Sequence, residues 1–159
     1  MDKQFRNQDV LGNFVECHDT PRFLNENSDQ RTFKNAIAFS LTSRGIPVIY
    51  YGSEHNFNGG NDPYNREKFF QTKYQQSEMS NFIKVINKYR KITKWFNEAQ
   101  IERYVDDDFY AFSRGSTFFA FTNKPQVPKH FRSVTYHPYS EGQTLCNIFY
   151  PTDCVKVED

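Results

Sequence analysis

Ionisable residues cluster where an apolar segment of the chain ends. The segment LGNFVECHDTPRF, residues 11–23, starts apolar and turns polar at Glu16, which His18 and Asp19 closely follow. Pro21 prevents simple continuation of a strand, because proline cannot donate to a strand ladder. In α/β enzymes, acids and bases at the carboxyl ends of strands carry catalysis. The pattern predicts a catalytic strand end, although His and Asp are also common in ordinary loops and helix caps.

The residues that follow predict a βαβ unit. From about Ser28 to Arg44 apolar residues recur at helical spacing, with Ser28 and Asp29 able to cap the start and Gly45 after the end. The run from Ile46 to Tyr51 is apolar and predicts a buried strand of a parallel sheet. Strand, helix and strand in this order would place His18 and Asp19 at a sheet edge.

A second motif follows the predicted helix. Residues 45–67 read GIPVIYYGSEHNFNGGNDPYNRE, and residues 14–23 read FVECHDTPRF. Together they resemble the α-amylase superfamily, glycoside hydrolase family 13, of the fungal and protist secreted type. That family's patterns are close to FVENHDNPRF at the seventh barrel strand and GIPIIYYGQEQ…GGNDPYNRE after the eighth. The resemblance implies an α/β chain: the C-terminal part of a TIM (β/α)8 barrel.

The resemblance assigns roles to four residues. Asp19 matches the carboxylate that stabilises the transition state, and His18 matches the histidine that hydrogen-bonds sugar hydroxyls beside it. Asp62 and Arg66 match a pair that contacts glucose units on the non-reducing side. Their spacing also allows Asp62 and Arg66 simply to pair with each other.

One departure from the family pattern lies inside the first motif. Cys17 replaces the usual Asn, and a thiol offers only a weak donor and acceptor, so the placement of His18 is expected to loosen. A cysteine beside a histidine could also act as a nucleophile, but the surrounding motif already has another explanation. Glu16 and Arg22 are expected to organise the strand ends without touching substrate.

Residues 1–96 are predicted to form the C-terminal part of the barrel, and residues 97–159 to form a second domain. A helix is predicted from about Ser77 to Phe96. The pattern then changes to period two, which predicts an antiparallel β-module. The expected strands are Ile101–Val105, Phe109–Ser113, Thr117–Thr122, Phe131–His137, Thr144–Phe149 and Asp153–Val157. The resembling family has a small antiparallel β-sandwich, domain C, at this place, here possibly incomplete in strands.

Other family motifs do not occur in these 159 residues. They are the G-x-R-x-D motif of the nucleophile, the acid/base glutamate motif and the first-strand D-x-x-x-N-H motif. The family's structural calcium is expected in a full-length protein, with ligands outside this chain. We therefore expect a fragment of an α-1,4-glucan endo-hydrolase that is inactive alone. A related transglycosylase or α-glucosidase, a non-catalytic carbohydrate-binding module and a truncated or decayed gene product are the alternatives.

Composition limits the partners and the compartment. The net charge is +1, and no apolar run approaches the roughly 20 residues of a membrane span, which favours neither a nucleic-acid nor a membrane partner. Cys146 and Cys154 bracket predicted turn residues, and a hairpin would bring them within disulfide reach, with two reduced cysteines as the alternative. A disulfide and the resemblance together imply a secreted or lysosomal/vacuolar protein, although the first residues show no signal-peptide core. The implied partners are starch, glycogen and maltooligosaccharides, bound by a monomer.

Overall fold

Residues 5–124 and 131–158 are described by a computed structural model. The chain divides into two units, Met1–Lys84 and Val85–Asp159. The first contains the two motifs and the second contains the antiparallel strands. The domain boundary between residues 96 and 97 stays a prediction.

The first unit contains the predicted βαβ arrangement. Strand β1 (Gly12–Asn13) pairs in parallel with β2 (Ile46–Pro47), and Gly12 lies opposite Ile46. Helix α1 (Phe23–Glu26) and helix α2 (Gln30–Thr42) lie between them in the chain. The expected strand Ile46–Tyr51 was wrong in length. Within the described residues β2 pairs only with β1, through the Ile46 and Val48 amides on either side of Pro47, and no second strand extends this pairing.

Helix α2 begins and ends close to the predicted bounds. The Asp29 side chain caps its start by accepting a hydrogen bond from the Arg31 amide at 2.9 Å. Beyond its end, Gly45 has φ of +116°, and a Cβ there would lie 2.7 Å from the carbonyl oxygen of Leu11. The face predicted to enter the core is buried at Phe33, Ile37, Ser40 and Leu41.

An irregular segment connects β2 to the next long helix. It contains short 3-10 turns at Ser53–His55 and Phe69–Thr72. Helix α3 (Glu78–Thr93) then follows, three residues shorter at its end than predicted, since Lys94 adopts a left-handed conformation and a 3-10 turn covers Trp95–Asn97. Within residues 5–124 and 131–158, each helix is too short or too polar to cross a bilayer.

The second unit is built on an antiparallel sheet. Strands β3 (Gln100–Val105), β4 (Phe109–Arg114) and β5 (Thr117–Thr122) pair in chain order, which confirms the three predicted strands. Aromatic side chains form its core. The Phe119 ring centroid lies 5.1 Å from that of Trp95 and 4.9 Å from that of Phe112.

A short hairpin completes the described part of this unit. Strand β6 (Thr144–Cys146) pairs with β7 (Cys154–Lys156), and a disulfide joins Cys146 to Cys154, as predicted. The expected strand Phe131–His137 was wrong, because these residues join no β-ladder in the described structure. The antiparallel character predicted for the module is confirmed.

Candidate functional site

His18 and Asp19 lie on the segment that follows β1, and both are open to solvent. The Nε2 atom of His18 lies 3.2 Å from Oδ1 of Asp19, with 58% and 73% of the two side chains exposed. An imidazole and a carboxylate held side by side can donate to and accept from neighbouring hydroxyl groups of one polyol. The two predicted side chains are therefore accessible to a polar ligand from solvent.

Asn65 holds the backbone on both sides of Asp19. Its side chain is fully buried, and its Nδ2 donates to the carbonyl oxygen of His18 at 2.9 Å and to that of Thr20 at 2.8 Å. Both hydrogens of one amide are thus used on the carbonyls that flank Asp19. A residue of the second motif, residues 45–67, thus fixes the backbone conformation of the first motif, residues 14–23.

Arg22 forms a buried ionic cluster beneath the exposed pair. Its Nη1 donates to Oε2 of Glu16 at 3.3 Å and to the carbonyl oxygen of Tyr51 at 2.8 Å, and its Nε donates to Oε2 of Glu67 at 3.1 Å. Its guanidinium lies 4.1 Å from the ring centroid of Tyr50, a cation–π contact. Burial raises the pKa of the Tyr50 phenol. Two carboxylates, a carbonyl and an aromatic face thus compensate the buried arginine charge.

The two carboxylates also hold backbone groups. Oε1 of Glu16 accepts from the Phe23 amide at 2.8 Å, and Oε1 of Glu67 accepts from the Gly59 amide at 2.6 Å. The backbone amide of Arg22 donates to the Gly59 carbonyl at 2.9 Å. Each end of the cluster is therefore fixed to the chain, in line with the expectation that Glu16 and Arg22 organise the strand ends.

Asp62 and Arg66 form an ion pair on the second motif. Arg66 Nε lies 2.6 Å from Asp62 Oδ1, and about half of each side chain is exposed. Among the described residues, no hydrogen bond or ion pair joins either of them directly to His18 or Asp19. The connection passes instead through Asn65, which lies next to Arg66 in the chain.

Sequence reasoning missed two residues that build this site, Asn65 and Glu67. Both lie in the NDPYNRE string that carried the resemblance, but only Asp62 and Arg66 received roles there. Their position on either side of Arg66 in this string was the feature of the sequence that could have identified them. Cys17, the departure from the family pattern, has its sulfur 3.6 Å from the Thr20 hydroxyl oxygen and is partly buried.

No metal centre can be assigned to this part of the protein. Among the residues that the structure describes, no group of three or more His, Cys, Asp or Glu side chains could hold an ion. The donors in the described part of the chain do not fit the calcium that the resemblance implies.

Comparison with known proteins places the chain beside alpha-amylases. A family model described as the catalytic domain of alpha amylase matches residues 1–133. Alpha-amylase 1 of Lipomyces kononenkoae is 46% identical over 103 residues, which covers 65% of this chain and 15% of that protein.

Solved structures give the same likeness. An alpha-amylase from Malbranchea cinnamomea matches with TM-score 0.71 and 30% identity, over 74% of this chain and 26% of that one. The gamma-CGTase of alkalophilic Bacillus clarkii matches with TM-score 0.77 and 26% identity, over 96% of this chain and 24% of that one. The chain thus spans between 15% and 26% of the length of these three proteins.

Proposed function

This chain belongs to the alpha-amylase family, and on that basis we propose that it forms the substrate-contacting C-terminal part of a retaining endo-hydrolase of α-1,4-glucans. The observation that carries the proposal is the hold of Asn65 on the two carbonyls that flank Asp19. A fixed backbone beneath an exposed carboxylate and imidazole is what preorganised binding of a charged transition state requires.

Asp19 and His18 would act on the sugar ring at the bond that breaks. Retaining cleavage needs a carboxylate nucleophile and a carboxylic acid/base around an oxocarbenium-like transition state. Asp19 would be a third carboxylate, whose negative charge interacts more strongly as positive charge develops on the ring. His18, 3.2 Å from Asp19, would hydrogen-bond the hydroxyls of the same glucose. The nucleophile and the acid/base would come from residues that do not occur in this sequence.

Asp62 and Arg66 would hold a glucose unit farther along the chain of sugars. Their ion pair offers a guanidinium donor and a carboxylate acceptor 2.6 Å apart. About half of each side chain is exposed to solvent. Neighbouring sugar hydroxyls can donate to the carboxylate and accept from the guanidinium at the same time. An exposed ion pair contributes little free energy, so replacing the Asp62–Arg66 contact by hydrogen bonds to a sugar costs little free energy.

The remaining parts of the proposal concern the setting of the enzyme. The substrates would be starch, glycogen and maltooligosaccharides, acted on by a monomer. The Cys146–Cys154 disulfide supports an oxidising compartment, which means secretion or a lysosomal or vacuolar location. Any calcium would be held by residues outside this chain, as the resemblance to the family implies.

A hybrid enzyme tests the proposal. In this hybrid, the matching segment of the Lipomyces kononenkoae alpha-amylase 1 is replaced by the aligned residues of this chain. We expect the hybrid to release reducing sugar from soluble starch, whereas the 159-residue chain by itself releases none. A folded hybrid without activity would contradict the proposed role of these residues.

A non-catalytic carbohydrate-binding module is the second candidate, because the exposed Asp62–Arg66 pair could hold glucan without turnover. It predicts that the 159-residue chain alone binds amylose and that Asp62→Ala removes the binding. Isothermal titration with maltoheptaose decides between the two. Binding by the chain alone together with an inactive hybrid would favour the module.

A further inference from the structure

Asn65 is a buried residue of the second motif whose side chain reaches the backbone of the first motif. Its side chain has no exposed surface, and the amide donates to the carbonyls of His18 and Thr20. Its Oδ1 has no hydrogen-bond partner among the described residues. The contribution of this side chain is therefore its pair of donated hydrogen bonds.

We propose that Asn65 is a positioning residue that sets the direction of the Asp19 carboxylate by fixing the peptide group that precedes Asp19 and the peptide group that follows Thr20. The proposal rests on the proposed function, since it concerns the reaction at Asp19. The His18 carbonyl belongs to the peptide that enters Asp19, and the Thr20 carbonyl belongs to the peptide between Thr20 and Pro21, so the backbone is held before Asp19 and after Thr20. Rotation about these peptides would move an exposed carboxylate through several ångström, and misplacement by about 1 Å can cost about 100-fold in rate.

The same side chain holds the backbone next to Cys17, the residue that departs from the family pattern. A thiol is a weak hydrogen-bonding group. Among the described residues, the Cys17 sulfur has one hydrogen-bond partner, the Thr20 hydroxyl oxygen, at 3.6 Å. Asn65 fixes the next residue, His18, through its carbonyl group, independently of the residue at position 17. The backbone of His18 is thus held from the second motif.

Asn65 also lies beside a proposed sugar contact. Arg66 follows it directly, and Arg66 pairs with Asp62. A glucose unit bound by Asp62 and Arg66 would therefore contact the residue directly after Asn65, the residue that aligns Asp19. One short backbone segment, residues 62–66, thus carries both the proposed contacts to the distant sugar and the side chain that aligns Asp19 at the reacting sugar.

The first test removes the paired donors of Asn65, once in an isosteric side chain and once in a smaller uncharged one. In the hybrid enzyme, Asn65→Asp puts an acceptor against two carbonyl oxygens, and Asn65→Ser removes the paired donors without adding charge. We expect kcat on soluble starch to fall by about 100-fold in the first variant and about 10-fold in the second, with KM changed less than about threefold. Near-UV circular dichroism gives the folded fraction by which each kcat is corrected.

The matched control is Asn25→Asp. Asn25 is an exposed asparagine whose Nδ2 donates to a single loop carbonyl, that of Asn58, at 3.0 Å. We expect its kcat and KM to stay within about twofold of the parent hybrid. Equal kcat in the Asn65 variants and the parent would overturn the positioning role, as would a rise in KM with kcat unchanged.

A second measurement separates this inference from the proposed function. In the 159-residue chain, carbonyl ¹³C shifts of His18 and Thr20 report the two hydrogen bonds directly, and both should move upfield in Asn65→Ser. Unmoved shifts would overturn the inference even if the hybrid is active. Moved shifts with an inactive parent hybrid would support the hold on the backbone and contradict the proposed hydrolase.

Discussion

Nη1 of Arg22 lies 3.3 Å from Oε2 of Glu16, and neither side chain has any exposed surface. Glu67, from the second motif, takes the Nε of the same guanidinium at 3.1 Å. A charge taken out of water is tolerated only when it is paired and hydrogen-bonded. The buried arginine therefore ties the segment of His18 and Asp19 to the loop of Asp62 and Arg66.

Arg22→Met should destabilise the chain strongly, because it leaves the Glu16 carboxylate buried without its cation. Breaking a buried pair on one side costs about 3–5 kcal/mol in free energy of unfolding. Urea denaturation followed by far-UV circular dichroism, to which helix α2 of the first unit contributes, measures the loss. Arg31→Met is the control, since the Arg31 side chain is largely exposed where it pairs with Asp29, and its loss should matter by less than about 1 kcal/mol. Equal losses in the two variants would contradict the importance of the buried cluster.

Gly59→Ala should disturb the second motif, whereas Gly60→Ala should not. A Cβ on Gly59 would lie 1.9 Å from the carbonyl oxygen of Tyr64, but one on Gly60 would meet nothing nearer than 3.8 Å. Forcing an atom into such a contact typically costs about 1–3 kcal/mol. Hydrogen exchange of the Arg22 amide, which donates to the Gly59 carbonyl, reports the change. Similar protection of that amide in both variants would argue against this loop conformation.

The turn between β3 and β4 should show acid-dependent stability. Hydrogen bonds from the Asp108 backbone and then from the Arg132 side chain lower the pKa of Asp106. A lowered pKa in the folded state means that the stabilisation is present above the ordinary carboxyl range and is lost as pH falls through the folded-state value. Asp106→Ala should therefore lower Tm at pH 7, and the difference from the parent should shrink towards pH 2.5. The exposed Asp107→Ala is the control, and a difference that does not depend on pH would contradict the account.

Removal of the disulfide should loosen the β6–β7 hairpin. In the chain-entropy description, a bridge closing a loop of this short length contributes about 2–3 kcal/mol. The double variant Cys146→Ser, Cys154→Ser should lose hydrogen-exchange protection at the Asn147 and Val157 amides, which close the hairpin. Cys17→Ser is the control and should leave that protection unchanged. Full protection in the double variant would show that the strand pairing holds without the bridge.

Local patterns predicted much of the fold. Helix α2, the three strands of the sheet and the Cys146–Cys154 disulfide follow from periodicity, capping residues and turn residues close to them in the chain. Strand lengths followed less well. β2 ends after Pro47 and residues 131–137 form no strand, because a strand is defined by its pairing partner, which the local sequence does not specify.

The site was predicted in its exposed residues and missed in its buried ones. Asp19 and His18 could be identified because a known motif carries them. Asn65 and Glu67 act through contacts with residues about 45 positions away, at 2.8–3.1 Å. Such long-range contacts leave no periodicity in the sequence, so only the folded structure reveals them.

The measurement that tests the central claim most directly is kcat of the hybrid enzyme with Asp19→Asn. This change keeps the shape of the side chain and removes the negative charge that would stabilise the transition state. We predict that the parent hybrid hydrolyses soluble starch and that Asp19→Asn lowers kcat by about 100-fold or more, with KM nearly unchanged. An Asp19→Asn hybrid as active as its parent would contradict the proposed role of Asp19.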